Sequence, residues 1–422
     1  MTTETSIERA YAHAKEEYAR LGVDTETALH LLGSTPVSLN CWQGDDVQGF
    51  ERSASAAAMG GIQVTGGFPG RARTIGELRK DLEKAFSLIP GTHRLNLHAM
   101  YGDFGGKTID RDQILPEHFQ SWVHWAKDRD VKLDFNSTCF AHPRADSGFT
   151  LSSKEKGVRE FWIEHVQRCR VISESIGRSL NGFCIHDLWL PDGSKDATVS
   201  RTEHRAILKD SLDRVYSQSL DPRHMKDALE GKLFGIGSEA YVVGSHEFYL
   251  SYCVAHGMML CIDLGHFHPT ESVADKVSAV LAFTNELLLH VSRGVRWDSD
   301  HVVILNDEIR SLMEEIVRGK FLGRVYLALD FFDGSINRIG AWITGARATL
   351  KGLLLALLEP TDRLRQFEAE GNLFARLALL EELKSMPFGE VWDYFCLSMN
   401  VPPAERWIEE VIQYEKNILR KR

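Results

Sequence analysis

Met259–Glu271 reads MLCIDLGHFHPTE. A short apolar run stops at Asp263 and gives way at once to Gly265, His266 and His268. The same pattern recurs twice downstream. LLLHVSR (287–293) sets His290 inside an apolar run, and RWDSDH (296–301) follows with Asp298 and Asp300. VYLALDFFD (325–333) ends in Asp330 and Asp333. Apolar runs of this length, bounded by turn residues, are the mark of strands buried on both faces, as in a parallel sheet.

Working outward, the remaining strand candidates are Pro36–Trp42, Arg94–Met100, Lys132–Ser137 and Gly182–Trp189, with the three above spanning Met259–Phe267, Leu287–Ser292 and Arg324–Phe332. Between them lie helical periods: Ile75–Ile89, Gly157–Ile176, Glu203–Leu220 and Asp307–Lys320. Thr74 with Glu77 reads as a capping box for the first. Seven or eight strand–helix units favour a closed barrel over an open sheet. The count needs one more strand between Trp189 and Met259, and His224–Glu230 fills it although HMKDALE is helical by propensity. The fold class is therefore α/β: a (β/α)8 TIM barrel over 36–358, an N-terminal helical segment over 1–35, and a C-terminal α-helical tail over 359–422 read as an oligomer arm. Gly44–Arg73 carries seven glycines and no regular period, as a flap at the barrel mouth would.

Of the 422 residues, 59 are acidic and 49 basic, a net charge of -10. That surplus argues against a nucleic-acid binder. Neither a secretory signal nor an uncharged apolar run of membrane length is visible, so no membrane partner is expected. The seven cysteines are scattered without a CxxC pair, pointing to reduced thiols and a cytoplasmic location.

In a parallel barrel, chemistry collects where strands end. Asp330 after YLAL is costly to bury alone, and a divalent cation is the economical partner for it and its neighbours. Asp263 and His266 are three apart at a turn, so one can bridge two ions while the other reaches one. Asp298 and Asp300 are two apart and point the same way on an extended segment. Carboxylate and imidazole without thiolate suit Mn²⁺, Mg²⁺, Co²⁺ or Zn²⁺, and the absence of a nearby cysteine favours Mn²⁺. Each residue has an ordinary alternative: His290 as a hydrogen-bonded core residue, Asp298, Asp300 and Asp333 as a solvated turn, His268 as a loop residue. Three successive strand ends doing the same thing carry the argument.

The strings CWQGDDVQGFE (41–51), IPGTHRLNLHAMY (89–101), LDFNSTCFAHP (133–143), WLPDGSKD (189–196), KLFGIGSEAY (232–241), CIDLGHFHPTE (261–271), LLHVSRGVRWDSDHVV (288–303) and LDFFDGSINRIGAW (329–342) together resemble bacterial L-rhamnose isomerases, from about Ala10 to the helical tail. The resemblance implies a barrel related to xylose isomerase, two divalent ions and a homotetramer. By position it implies a first ion on Glu230, Asp263, His290 and Asp330, and a second on His266, Asp298 and Asp300 that shares Asp263. Glu239 competes with Glu230, but the family's ligand stands two residues before a lysine, which selects Glu230 and brings Lys232 to O1 or O2 of the sugar. The same route brings His98 to the ring oxygen or O5, and makes Trp189 and Phe135 a wall for the sugar, with Trp42 beside them. GFCIHDLW (182–189) departs most from the family pattern and leaves His186 and Asp187 without a role.

Aldose–ketose isomerisation proceeds through an enediol, which needs a base at C2–H, or by a hydride shift, which needs a cation polarising O1 and O2. A site of metal ligands with few free bases favours the shift, with Asp330 relaying the O1–O2 proton and His98 serving ring opening. The flap, with Ile62, Val64 and Phe68, would meet the C6 methyl of L-rhamnose. L-Lyxose, L-mannose and D-allose share the stereochemistry near C1–C3. A metal-dependent barrel hydrolase and a sugar- or metal-binding protein are the rival readings. A phosphosugar enzyme would need a glycine-rich phosphate cradle that is not seen.

Overall fold

The structure is a computed structural model and describes residues 4–51, 66–234, 237–296 and 300–422. Eight parallel strands close into a barrel: β1 Val37–Asn40, β2 His93–His98, β3 Lys132–Asn136, β4 Cys184–Trp189, β5 Met225–Glu230, β6 Met259–Asp263, β7 Leu287–Val291 and β8 Val325–Leu329, with β8 pairing back onto β1. Two helices precede the barrel, α1 Glu4–Arg20 and α2 Thr25–Ser34. Eight follow the strands in turn: α3 Ile75–Phe86, α4 Gln120–Asp128, α5 Lys156–Ser179, α6 Arg201–Val215, α7 His246–His256, α8 Ala274–Leu281, α9 Asp307–Arg318 and α10 Arg338–Leu357. Thr74 caps α3, its hydroxyl accepting from the Glu77 amide at 3.1 Å, while the Glu77 carboxylate reaches back to the Arg73 amide at 2.8 Å, one residue earlier than the capping-box spacing implies.

The strand over HMKDALE runs Met225–Glu230 and pairs with β4 and β6 on either side. Two flanking strands with open hydrogen-bonding edges outweigh the helical propensity of six residues. The run from Met259 ends as strand at Asp263 and tightens into a 3₁₀ turn over Leu264–His266, which swings His266 back over the strand end.

Strand period two divides the side chains into two sets. Leu188, Leu229, Leu260, Ile262, Leu287, Leu289, Leu327 and Leu329 pack outward in the main core with the helices. Ile185, Ala228, Met259, Cys261, Leu288 and Ala328 form a separate plug inside the barrel. Below them the floor holds Arg94 and Asp134, paired at 2.6 and 2.9 Å, with Asp134 also accepting from Ser38 and the Ile185 amide. The same inward parity carries Asp187, Glu230, Asp263, His290 and Asp330 to the mouth.

Past α10 come α11 Thr361–Ala369, α12 Leu373–Glu382, α13 Phe388–Ser398 and α14 Arg406–Asn417. The helix α13 packs on α1, where Tyr11 and Tyr394 stack at 3.8 Å. Beyond α14, Arg422 pairs with Asp81 of α3 at 2.5 and 2.6 Å, so this end of the tail is tied to the barrel wall. The helix α12 has no buried residue. Among the described residues no single helix is long and apolar enough to cross a membrane. The described ends of the glycine-rich loop are anchored: Arg338 holds Asp46 at 2.6 and 2.8 Å and the Phe68 carbonyl at 2.7 Å. Ile62 and Val64 lie outside the described residues.

Candidate metal centre

At the C-terminal ends of β4 to β8 the inward side chains converge. One ligand atom from each of Glu230, Asp263, His290 and Asp330 lies within 4.8 Å of all the others, and the same holds for Asp263, His266 and Asp300. Asp263 belongs to both groups. Its Oδ1 accepts from the Gly265 amide at 2.6 Å and the Ser292 hydroxyl at 2.8 Å, which orients the carboxylate. Gly265 is required there because a Cβ would fall 2.4 Å from Asp300 Oδ1. Asp298 lies outside the described residues.

Hydrogen bonding tests whether a cation suits this place. His290 is fully buried, and neither of its ring nitrogens has a hydrogen-bond partner. Its Nδ1 stands 3.2 Å from a Glu230 oxygen and 3.2 Å from an Asp330 oxygen, in contact but out of line. Glu230 Oε1, Asp263 Oδ2 and both oxygens of Asp187 are likewise buried without a hydrogen bond. Uncompensated buried charges cost several kcal/mol apiece, and one divalent cation would satisfy Glu230, Asp263 and one His290 nitrogen together, so these residues fit a metal. The pKa values agree. Burial, then the Glu230 charge, holds Asp187 well above the carboxylate range, and burial with Asp300 and Asp330 does the same to Asp263. Burial would also raise Glu230, but His290 and His266 outweigh it and hold Glu230 well below. His266 Nδ1 sits 3.2 Å from the Gly231 carbonyl, so a proton donated to that carbonyl leaves Nε2 for an ion.

Beside this group stands an aromatic wall. His98, at the end of β2, meets Trp42 edge-on at 4.5 Å and Phe140 at 5.6 Å, and Phe140 meets Trp189 at 5.7 Å. Lys232 Nζ lies 4.6 Å above the Trp189 ring. Burial pushes the His98 imidazole down to about 3, so it is neutral at pH 7, with Nδ1 2.9 Å from the Thr138 hydroxyl.

Two expectations are corrected. Phe135 does not join the wall: its ring is fully buried outside the barrel, edge-on to Phe119 at 4.9 Å, because Asp134 and Asn136 take the inward face of β3. Phe140 stands in its place, and alternation counted from Asp134 would have excluded Phe135. The ground for preferring Mn²⁺ also fails. Cys261 is two residues before Asp263 on the same inward face, and its sulfur is within ligand reach of Asp187, Glu230 and His290. His186 and Asp187, to which the resemblance assigns no role, have distinct places. His186 faces outward between Ser137 at 2.7 Å and Asp227 at 3.1 Å, whereas Asp187 joins the buried acids. Glu239 is exposed, in contrast to Glu230. His268 is an exposed loop residue, and Asp333 accepts from the Ser335 amide at 2.8 Å in a turn.

Comparison with known proteins accords with this geometry. The family model described as L-rhamnose isomerase (RhaA) matches residues 5–422. L-rhamnose isomerase of Rhodopirellula baltica is 54% identical over 417 residues, covering 99% of this chain and 97% of the relative. That of Bacteroides thetaiotaomicron is 54% identical over 422 residues, covering 100% of both. Among solved structures, L-ribulose 3-epimerase aligns at 12% identity and a TM-score of 0.44, over 72% of this chain and 98% of that one. The chain belongs to the L-rhamnose isomerase family and is an aldose–ketose isomerase.

Proposed function

We propose that this chain interconverts L-rhamnose and L-rhamnulose with two divalent cations, hydrogen passing between C2 and C1 as hydride. The observation that carries the reading is the pair of ligand groups side by side, Glu230, Asp263, His290 and Asp330 next to Asp263, His266 and Asp300, with Asp298 assigned to the second by resemblance. The bound cations supply the positive charge that stabilises developing negative charge on O1 and O2. Lys232 adds a further charge, held at the edge of the site over Trp189. Asp330, partly open to solvent while the other acids of its group are closed off, moves the proton between O1 and O2. His98, kept neutral, offers a ring nitrogen to the sugar's ring oxygen during opening. The rings of Trp42, Phe140 and Trp189 cover the C–H face of the sugar.

The test is ketose formation from L-rhamnose by metal-stripped protein, with Mn²⁺, Co²⁺, Zn²⁺ or Mg²⁺ added back and Asp330→Asn as control. Activity that needs metal and is lost in the variant supports the assignment; metal-independent turnover refutes it. L-Rhamnose deuterated at C2 separates the routes, since retention of deuterium at C1 of the product accompanies a hydride shift and washout an enediol. L-Lyxose, L-mannose and D-allose in the same assay define the range.

A homotetramer with residues 359–422 as its contact arm is part of this proposal. Leu373, Phe374 and Leu377 of α12 are 54%, 80% and 60% exposed, an apolar face suited to a second copy. The free, buried state of all seven cysteines supports a reducing, cytoplasmic setting.

A further inference from the structure

We infer that a zinc- or cobalt-like divalent cation has a second seat one step deeper in the barrel, on Asp187, Glu230, Cys261 and His290, with a cysteine thiolate among its ligands. One ligand atom from each of these four lies within 4.8 Å of the others. Strand register accounts for the meeting. Glu230 pairs with Cys261 across β5 and β6 and with Trp189 across β4 and β5, while His290 pairs with Asp263, one inward position above Cys261. Asp187 is the inward residue below Trp189. The four are 1%, 2%, 1% and 0% exposed.

The observation that asks for a ligand is Asp187 itself. Both of its oxygens are buried, neither accepts a hydrogen bond, and it has no place in either of the upper groups. A buried carboxylate is costly unless paired, and the acid beside it, Glu230, adds like charge. Both unpartnered nitrogens of His290 leave that ring able to serve either seat. Binding breaks the Cys261 S–H bond, releases the proton to solvent and forms the sulfur–metal bond, with no change of oxidation state. A thiolate favours Zn²⁺ and Co²⁺ over Mn²⁺ and Mg²⁺. Because Glu230 and His290 are common to both seats, an ion held below competes with one held above.

Cobalt spectroscopy of the full-length, metal-stripped chain tests this without reference to sugar turnover. Titration with Co²⁺ is expected to produce a near-ultraviolet thiolate-to-cobalt charge-transfer band that Zn²⁺ abolishes and equimolar Mn²⁺ does not. Cys261→Ser should remove the band, and Asp187→Asn should raise the Co²⁺ concentration needed for it about tenfold or more. Circular dichroism and Tm verify that the variants fold, and the wild-type titration needs no variant. Absence of the band in wild type, or its survival in Cys261→Ser, overturns the seat. Since Mn²⁺-loaded protein can be assayed for isomerisation separately, failure here leaves the isomerase assignment standing.

Discussion

Replacing Gly265 by alanine separates a site built to sub-ångström tolerance from one that merely gathers acids. The added Cβ would stand 2.4 Å from Asp300 Oδ1, 2.9 Å from Ser292 Oγ and 3.2 Å from Asp263 Oδ1, against an ordinary contact of 3.4 Å or more. Gly265 does not have a positive φ, so the backbone tolerates alanine and the conflict is purely steric. Relief requires Asp300 to retreat by about 1 Å, a displacement that costs roughly 100-fold in rate when it moves a catalytic group. The other contacts press on the Ser292 and Gly265 bonds that orient Asp263, each worth about 1 kcal/mol. Steady-state kinetics on L-rhamnose at saturating metal should therefore show kcat/KM down about 100-fold, with the Tm of the metal-free protein close to wild type. Unimpaired turnover at saturating metal would refute the reasoning, because it would mean that the position of Asp300 is immaterial. A collapse in metal-free Tm would assign the clash to folding instead.

Phe135→Ala and Phe140→Ala should diverge in KM: each loses about 3–5 kcal/mol of stability, but only the second raises KM, and an equal change of KM in both would contradict the placement of the two rings. Chelation should lower Tm, since an ion at 100 times its Kd stabilises by about 2.7 kcal/mol; Glu230→Gln should lose that response, and a full response in the variant would remove Glu230 from the ligands. His165 is fully buried, and burial followed by the Arg111 charge pushes it down to about 4, so the unfolded chain binds the extra proton below pH 6.5 and stability falls on acidification. The stability difference between wild type and His165→Asn should hold steady above pH 6.5 and shrink by about 1.4 kcal/mol per pH unit down to pH 4; a difference that grows on acidification would reverse the sign. Sedimentation should show a tetramer that Phe374→Glu with Leu377→Glu dissociates, and an unchanged sedimentation coefficient would exclude α12 from the contact.

Local pattern and spacing carried most of this molecule. Apolar runs ending in acid or imidazole announced the barrel because a strand covered on both faces has no polar choice until it reaches the mouth, and the resemblance then assigned Glu230, Asp263, His266, His290, Asp300 and Asp330 to ligand roles; the structure brings these six together. Side-chain facing was harder to read. Phe135 and Phe140 look alike in FNSTCF, and only the inward places of Asp134 and Asn136 distinguish them. Cys261 passed for one more apolar residue of a strand.

The chain's composition and periodicity by themselves determined the fold class, the end of the barrel that bears the chemistry and the types of group available there, since burial and period are properties of each segment. Tertiary structure alone decided which groups meet. The β5 segment became a strand because two edges awaited it. The meeting of Asp187 and Cys261 with Glu230 and His290 arises from register across four strands that together span about a hundred residues of sequence, and no single segment contains that register.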